Sequence, residues 1–351
     1  MRILLSTYNT INLGDDLFIK VFLERYQGEH ITLPISDKIY TKMFKAHFIK
    51  HVGYKNIIAR KITNNKQSYL HMVAHRYDLF VRMGGSVFIE HDHMLSDEIE
   101  AYKRYCIIGS NFGPYKTKQF LAEKRNIIAK AEDVCFREQA SYDMFKDLSN
   151  VRVAPDIIYA LDTKNIHSHD ARRVVISVID CNTKCPQVDR EKYEQKILEL
   201  TQYFQAKNYW VCLMSFCQQE GDEDAIDRIF AKIEDKTRIE KYFYRGKIDE
   251  ALGNLANSQI IVGSRFHANI LGLILNKTVI PIAYSDKTLN SLADINFKGK
   301  VYDLRKLDQI QPKKLTNKDL SYTINVDKER KAAADHFKII DKIIKESHAK
   351  N

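Results

Sequence analysis

Arg265 and His267 stand two residues apart, where an apolar β-branched run (260–262) ends in Gly263-Ser264 and an apolar helical pattern follows at once. A strand, a tight turn and a helix start in that order form an anion site. The first N–H groups of the helix have no intrahelical partner, and its dipole is positive there. An Arg grips phosphate or carboxylate bidentately, and a His titrates near neutral pH. The pair therefore points to chemistry on a substrate bearing phosphate or carboxylate. Tyr284 and Lys287 follow the next apolar run (278–283), so in a parallel sheet they reach the same rim.

Further turns of the same kind lie earlier in the chain. Asn12-Leu13-Gly14-Asp15-Asp16 joins a strand-like run to a helical pattern; Gly14 allows a tight turn and close ligand approach, and Asp15 or Asp16 can cap the helix. Gly84-Gly85-Ser86 and Gly109-Ser110-Asn111-Phe112-Gly113-Pro114 each follow a strand-like run, where backbone N–H groups can face an anion. Arg137 leaves a short strand at a helix start and either faces a ligand or pairs with a carboxylate such as Glu138. Pro155-Asp156 stiffens another strand exit, and Asp156 caps or reaches the ligand.

These turns need a scaffold that brings strand ends together. Strand-like segments at 3–8, 31–35, 77–83, 105–109, 134–136 and 151–153 alternate with helical patterns at 15–26, 118–131 and 138–148. A polar, aperiodic stretch at 164–170 reads as a linker. Strands at 173–179, 210–215, 259–262 and 278–283 then alternate with helices at 189–207, 222–233, 247–257, 268–275 and 289–294. Alternation of this kind implies parallel sheets covered by helices. The expected fold class is α/β: two Rossmann-like domains, 1–165 and 170–325, facing a central cleft, with a tail at 326–351 that includes a C-terminal amphipathic helix. Ligands of such folds bind at the carboxyl ends of the strands.

Composition bounds the remaining choices. The chain has 351 residues, 44% hydrophobic and 28% charged, which suits two domains of a globular protein. No run approaches the roughly 18 apolar residues of a membrane span, and the first residues read as a strand rather than a signal peptide. Six cysteines without such a peptide favour a reduced, cytoplasmic protein. Cys181-x3-Cys185 and Cys212-x4-Cys217 are looser than zinc-type pairs, and His91-Asp92-His93 reads as a polar loop, so no metal is expected. Net charge is +10, with basic residues spread along the chain and densest over 298–318. That stretch lacks the interleaved aromatics of a single-strand binder, so no nucleic acid is expected.

Taken in order, these motifs resemble the polysaccharide pyruvyl transferase family. The resemblance rests on Asn12-Leu13-Gly14-Asp15, Gly84-Gly85-Ser86, the Gly109 to Pro114 turn, Arg137-Glu138-x2-Ser141, Pro155-Asp156, Gly263-Ser264-Arg265-Phe266-His267-Ala268 and Tyr284-Ser285-Asp286-Lys287. Ser86 departs from the pattern, since a third Gly is common there. The resemblance implies two halves similar to GT-B glycosyltransferases. It also implies transfer of a pyruvate group from phosphoenolpyruvate onto two hydroxyls of a sugar, giving a cyclic ketal and phosphate.

Under that reading His267, Arg265 and Asp15 are the catalytic residues. His267 protonates the methylene carbon, Arg265 and Arg137 hold phosphate and carboxylate, and Asp15 or Asp156 takes a hydroxyl proton. Asn12, Gly14, Gly84, Gly85, Ser86, Ser110, Asn111, Arg137, Ser264, Tyr284 and Lys287 line the substrates. No cofactor is called for, phosphoenolpyruvate being a co-substrate. A lipid-linked saccharide acceptor would suit the basic surface and place the enzyme against an anionic inner membrane face. The alternative is an inverting nucleotide-sugar-dependent glycosyltransferase of the same architecture. A retaining one would carry a Glu-x7-Glu pair after the Arg265 motif, and no Glu lies between Glu250 and Glu329. A non-enzymatic sugar- or anion-binding protein is the third possibility.

Overall fold

The computed structural model describes every residue except 65, 66, 91–98, 100, 169–171, 350 and 351. His91-Asp92-His93 therefore lies outside the described residues. The chain forms two compact units: Met1–Asn9, Phe18–Ala160 and Lys331–Asn351 make the first, and Thr10–Leu17 and Leu161–Arg330 the second. The sequence boundaries kept 1–165 together and set 326–351 apart. In the structure Thr10–Leu17 is counted with the second unit, and the tail from Lys331 with the first.

The first unit is built on seven parallel strands: β1 (Arg2–Ser6), β2 (His30–Leu33), β3 (His47–Phe48), β4 (Leu79–Met83), β5 (Tyr105–Ser110), β6 (Asp133–Phe136) and β7 (Val151–Val153). Their order across the sheet is β3-β2-β1-β4-β5-β6-β7. The second unit holds β8 (Arg173–Ser177), β9 (Trp210–Met214), β10 (Ile239–Tyr242), β11 (Ile260–Gly263), β12 (Thr278–Ala283) and β13 (Tyr302–Asp303), ordered β10-β9-β8-β11-β12-β13. Each sheet thus repeats the doubly wound order, with its reversal between β1 and β4 in one unit and between β8 and β11 in the other. Both reversals open a crevice at strand carboxyl ends, and the Arg265-x-His267 turn leaves β11 at the second of them.

Strands β4, β5, β11 and β12 are buried along their whole length, which is why they read as unbroken apolar runs. Strands β3, β10 and β13, which the sequence reading omitted, all lie at sheet edges. They are short or half polar, with Glu240 and Lys241 exposed in β10, so no apolar period marks them.

Several helices differ from expectation. The helix expected over 138–148 is regular only over Gln139–Asp143. The linker is not wholly solvated: Ser168 Oγ donates to the Ala256 carbonyl at 2.9 Å and accepts from Lys277 Nζ at 2.8 Å. The tail is not one helix. Asp327–Ala332 passes through a 3-10 turn, Ala333–Phe337, into Lys338–His348.

The tail is keyed into the first unit by His336, Phe337 and Asp341. Phe337 meets Phe22 and Tyr26, and Asp341 accepts from Arg25 and Tyr26. His336 is fully buried, with Nε2 2.8 Å from the Pro155 carbonyl. Burial depresses its pKa to about 4, against the favourable pull of that carbonyl and Asp156. The unfolded chain therefore binds the extra proton first, and stability falls as pH drops from the ordinary value near 6.5 towards 4. In urea unfolding, we expect His336→Gln to remove about 2 kcal/mol of the stability difference between pH 7 and pH 5. An unchanged difference would refute the assignment of that titration to His336.

Candidate functional site

In the second unit, the carboxyl ends of β8, β9, β11 and β12 carry a dense polar cluster. Arg265 precedes the helix Phe266–Ile274 and is 5% exposed. Its backbone N–H donates to Ser177 Oγ at the end of β8. Its guanidinium is held bidentately by Asp222 and contacts Glu220 through Nη1. Asp222 also accepts the N–H groups of Phe216 and Cys217, so this carboxylate is fully committed. Glu220 also pairs with Lys184. Burial pushes the Glu220 carboxyl up, but Arg265 and Lys184 pull it down to about 2. Burial likewise opposes the charge on Arg265, and the two carboxylates more than offset it.

Asp222 thus takes the bidentate edge of Arg265 that the sequence reading reserved for a substrate. Of the two carboxylate partners of Arg265, Glu220 is the more accessible, its side chain keeping 22% exposure while that of Asp222 keeps none. Ser264, also expected to touch substrate, is 1% exposed and accepts a hydrogen bond from Tyr193 at 3.0 Å. It serves the turn. Asn269 completes that turn by donating to the Gly263 and Arg265 carbonyls.

Tyr284 and Lys287 do share the rim with Arg265. The Lys287 ammonium lies 4.9 Å from the Tyr284 ring centroid and 5.9 Å from that of Phe266. Burial raises the Tyr284 phenol, yet Lys287, Lys184 and Arg265 together bring it below its ordinary value. Three cations therefore converge on one phenol.

His267 is the second residue of its helix, with its ring 5.1 Å from that of Phe266. Its Nδ1 edge rests on Gly14. A Cβ at Gly14 would lie 1.7 Å from His267 Nδ1, so any larger residue has to move the imidazole. Gly14 was expected to form a tight turn against a ligand. Instead it is helical, within Leu13–Arg25, and the group that approaches it is His267. At the helix start Asn12 acts as a cap, its Oδ1 accepting from the Gly14 N–H at 3.1 Å. Leu13 donates to the Phe216 carbonyl, which ties this segment to the second unit. Asp16 is fully buried and accepts from the Tyr244 hydroxyl at 2.7 Å, whereas Asp15, next to Gly14, is half-buried.

In the first unit, the ends of β4, β5, β6 and β7 carry a second arginine. Arg137 follows β6, is 4% exposed, and donates to Asp156 Oδ2 at 3.0 Å and Asn111 Oδ1 at 2.7 Å. Its partner is Asp156 rather than Glu138, which instead accepts from the Ser141 hydroxyl. Asp156 in turn caps the Ile158 N–H. A Cβ at Gly85 would lie 2.5 Å from Arg137 Nη1, so Gly85 is the backbone wall against this guanidinium. Asn111 N–H donates to the Gly85 carbonyl, and the Ser86 carbonyl accepts from Tyr8. Gly84 packs beside the Tyr8 ring. Ser110 is fully buried, and its hydroxyl has no hydrogen-bond partner among the described residues.

Glu220, Asp222, Lys184 and Tyr244 were missed by the sequence reading. Glu220 and Asp222 lie on the connection that leaves β9, as Arg265 lies on the one that leaves β11, and that position after a strand was the available signal. All six cysteines are buried thiols, and burial pushes Cys106, Cys135, Cys212 and Cys217 up. Among the described residues, no group of three His, Cys, Asp or Glu is arranged to hold a metal ion.

A family model described as polysaccharide pyruvyl transferase matches residues 12–286. Amylovoran biosynthesis protein AmsJ of Erwinia amylovora is 20% identical over 317 residues, covering 82% of this chain and 75% of that protein. Among solved structures, the UDP-GlcNAc 2-epimerase of Neisseria meningitidis bound to UDP-GlcNAc is similar with a TM-score of 0.65 at 11% identity, covering 98% of this chain and 100% of that one. HepE of Anabaena in complex with UDP and glucose is similar with a TM-score of 0.56 at 12% identity over 100% of both chains. These likenesses place the fold among GT-B glycosyltransferases and related epimerases.

Two substitutions separate packing from charge at this site. Gly14→Ala should cost about 1–3 kcal/mol, because the methyl group displaces the His267 ring. Gly28→Ala, with nothing within 4 Å of its Cβ, should stay within about 0.5 kcal/mol. Equal costs in urea unfolding would contradict the Gly14–His267 contact. By the same measurement, Asp222→Ala should cost about 3–5 kcal/mol, since it strands a buried guanidinium. Glu220→Gln, on the more exposed side, should cost less, about 1–2 kcal/mol. A reversed order would mean that Glu220 is the structural partner.

Proposed function

The chain belongs to the polysaccharide pyruvyl transferase family, and from that premise we propose that it moves a pyruvate group from phosphoenolpyruvate onto two hydroxyls of a saccharide. The observation that carries the reading is His267 at a helix start, seated on Gly14, on a rim where Arg265, Lys184 and Lys287 gather. A proton donor beside converging cations suits a small enol ester with two anionic groups.

In this mechanism, His267 gives a proton to the methylene carbon of phosphoenolpyruvate. The adjacent carbon becomes oxocarbenium-like, and a sugar hydroxyl adds to it. The bond from that carbon to the phosphate oxygen breaks, and a second hydroxyl closes the ketal. Two hydroxyl protons are released: one restores the proton His267 gave, and the other departs with phosphate. Asp15, next to Gly14, is the assigned acceptor for the attacking hydroxyl.

Lys287 and Tyr284 hold the anion, and Arg265 joins them as Glu220 is displaced. The Asp222 carboxylate keeps the guanidinium in place throughout. Asn12 and Ser264 act behind the substrate by fixing the two turns. In the first unit, Arg137 with Gly84, Gly85, Ser86, Ser110 and Asn111 is assigned to substrate binding. The buried Ser110 hydroxyl supports that assignment, since a buried polar group without a partner is costly unless something meets it. The acceptor is a saccharide of a surface or exopolysaccharide, in keeping with the amylovoran relative.

The test is release of phosphate from phosphoenolpyruvate with a panel of hexosides, followed by ketal detection. His267→Gln should lower the rate by about 100-fold or more while phosphoenolpyruvate binding stays within a few-fold. Ketal formation near the wild-type rate would remove His267 as the acid. Release of UDP or GDP from a nucleotide sugar, with phosphoenolpyruvate untouched, would favour the glycosyltransferase reading.

A further inference from the structure

The positive charge of this chain is not evenly spread. Residues 38–77 contain nine Lys and Arg and no Asp or Glu, while the whole chain carries 55 basic against 45 acidic residues, a net charge of +10. One segment of the first unit therefore accounts for nearly all the net charge. The stretch 298–318, densest in basic residues by simple reading, also contains Asp303 and Asp308.

The same segment turns apolar side chains outward. In the helix Val52–Ile62, Tyr54, Ile57, Ile58 and Ile62 are 67%, 57%, 41% and 69% exposed. Their spacing of three, four and eight residues places them on one stripe. The opposite face holds the helix to the protein. Ala59 is buried there, Asn56 Oδ1 accepts from the Tyr69 N–H at 2.9 Å, and Lys55 Nζ lies 5.0 Å from the Tyr69 ring centroid. A water-facing helix normally presents polar residues outward, and this one instead exposes four large apolar side chains along about 13 Å of its length. Lys45, Lys50, Arg60 and Lys61 are exposed beside the stripe, and among the described residues none of them pairs with a carboxylate.

We propose that the helix Val52–Ile62, with the basic segment around it, docks the protein onto an anionic lipid bilayer. An apolar stripe flanked by lysines and arginines matches a membrane interface, where aliphatic side chains enter the headgroup boundary and cations meet anionic lipids. Charge argues against a second copy of this chain on the same face, because a two-fold contact would bring two such positive segments together. Branched aliphatic residues do not stack on bases, which argues against nucleic acid. Among the described residues no helix is long and apolar enough to cross a membrane, so the contact is one of surface binding.

The experiment co-sediments the full chain with vesicles of phosphatidylcholine, with or without a quarter of phosphatidylglycerol. Binding should require the anionic lipid and weaken with added salt. Ile57→Ser/Ile58→Ser/Ile62→Ser and, separately, Lys50→Gln/Arg60→Gln/Lys61→Gln should each lower binding by about tenfold or more. Both sets replace exposed residues, so melting curves should not change. Lys313→Gln/Lys314→Gln/Lys318→Gln should bind as wild type, which separates this face from general basicity.

Absence of vesicle binding, or binding that survives both variants, would overturn the proposal. So would a dimer in light scattering that only the serine variant dissolves, or oligonucleotide retention through these residues without vesicle binding. The readout needs no turnover, so its failure and that of the proposed reaction remain distinguishable.

Discussion

A guanidinium taken out of water at the end of a β-strand has to be neutralised, or it will not stay there. Both units meet that constraint with a buried aspartate: Asp222 for Arg265 and Asp156 for Arg137. Each aspartate is anchored by backbone N–H groups, from Phe216 and Cys217 in one case and Ile158 in the other. The charge partner is thus fixed by the strand-to-helix turn itself. Around Arg265 the consequences spread outward. Ser177, Ser264, Tyr193 and Asn269 set the path of the turn, and His267 emerges one residue into the helix with its imidazole against Gly14.

This arrangement assigns different work to neighbouring cations. Arg265 is rigid because two carboxylates hold it, and only its contact with Glu220 is open to exchange. Lys287 and Lys184 are less buried and share the surroundings of Tyr284. In the proposed reaction, a small anion meets movable ammonium groups first and a fixed guanidinium second. His267, pressed on a glycine, has little freedom to turn away, which is the preorganisation that the proposed proton transfer to carbon requires.

Much of this was legible in the sequence, and the exceptions share physical causes. Fully buried strands such as β5 and β12 announce themselves as apolar runs, so the two parallel sheets were readable. Edge strands β3, β10 and β13 bury too little to leave a pattern. The Arg265-x-His267 turn stood out because an Arg and a His are unusual at the mouth of an apolar strand–helix junction. Its partners did not, because Glu220 and Asp222 look like the solvated acidic first turn of an ordinary helix. Gly14 was read as a turn glycine, since nothing local reveals that a side chain from far along the chain lies on its Cα. The helix Val52–Ile62 was not read from the sequence at all, because its apolar residues face outward and its buried side is held by Ala59 and the polar Asn56.

The claim that transfer proceeds by protonation of the methylene carbon of phosphoenolpyruvate is tested most directly by running the reaction in deuterium oxide. The full chain is incubated with phosphoenolpyruvate and a panel of hexosides, and phosphorus and proton NMR follow phosphate release and the new methyl group. The account predicts inorganic phosphate together with a ketal whose methyl carries one deuterium. Phosphoenolpyruvate left intact with every hexoside, while a nucleotide sugar is consumed, would contradict it.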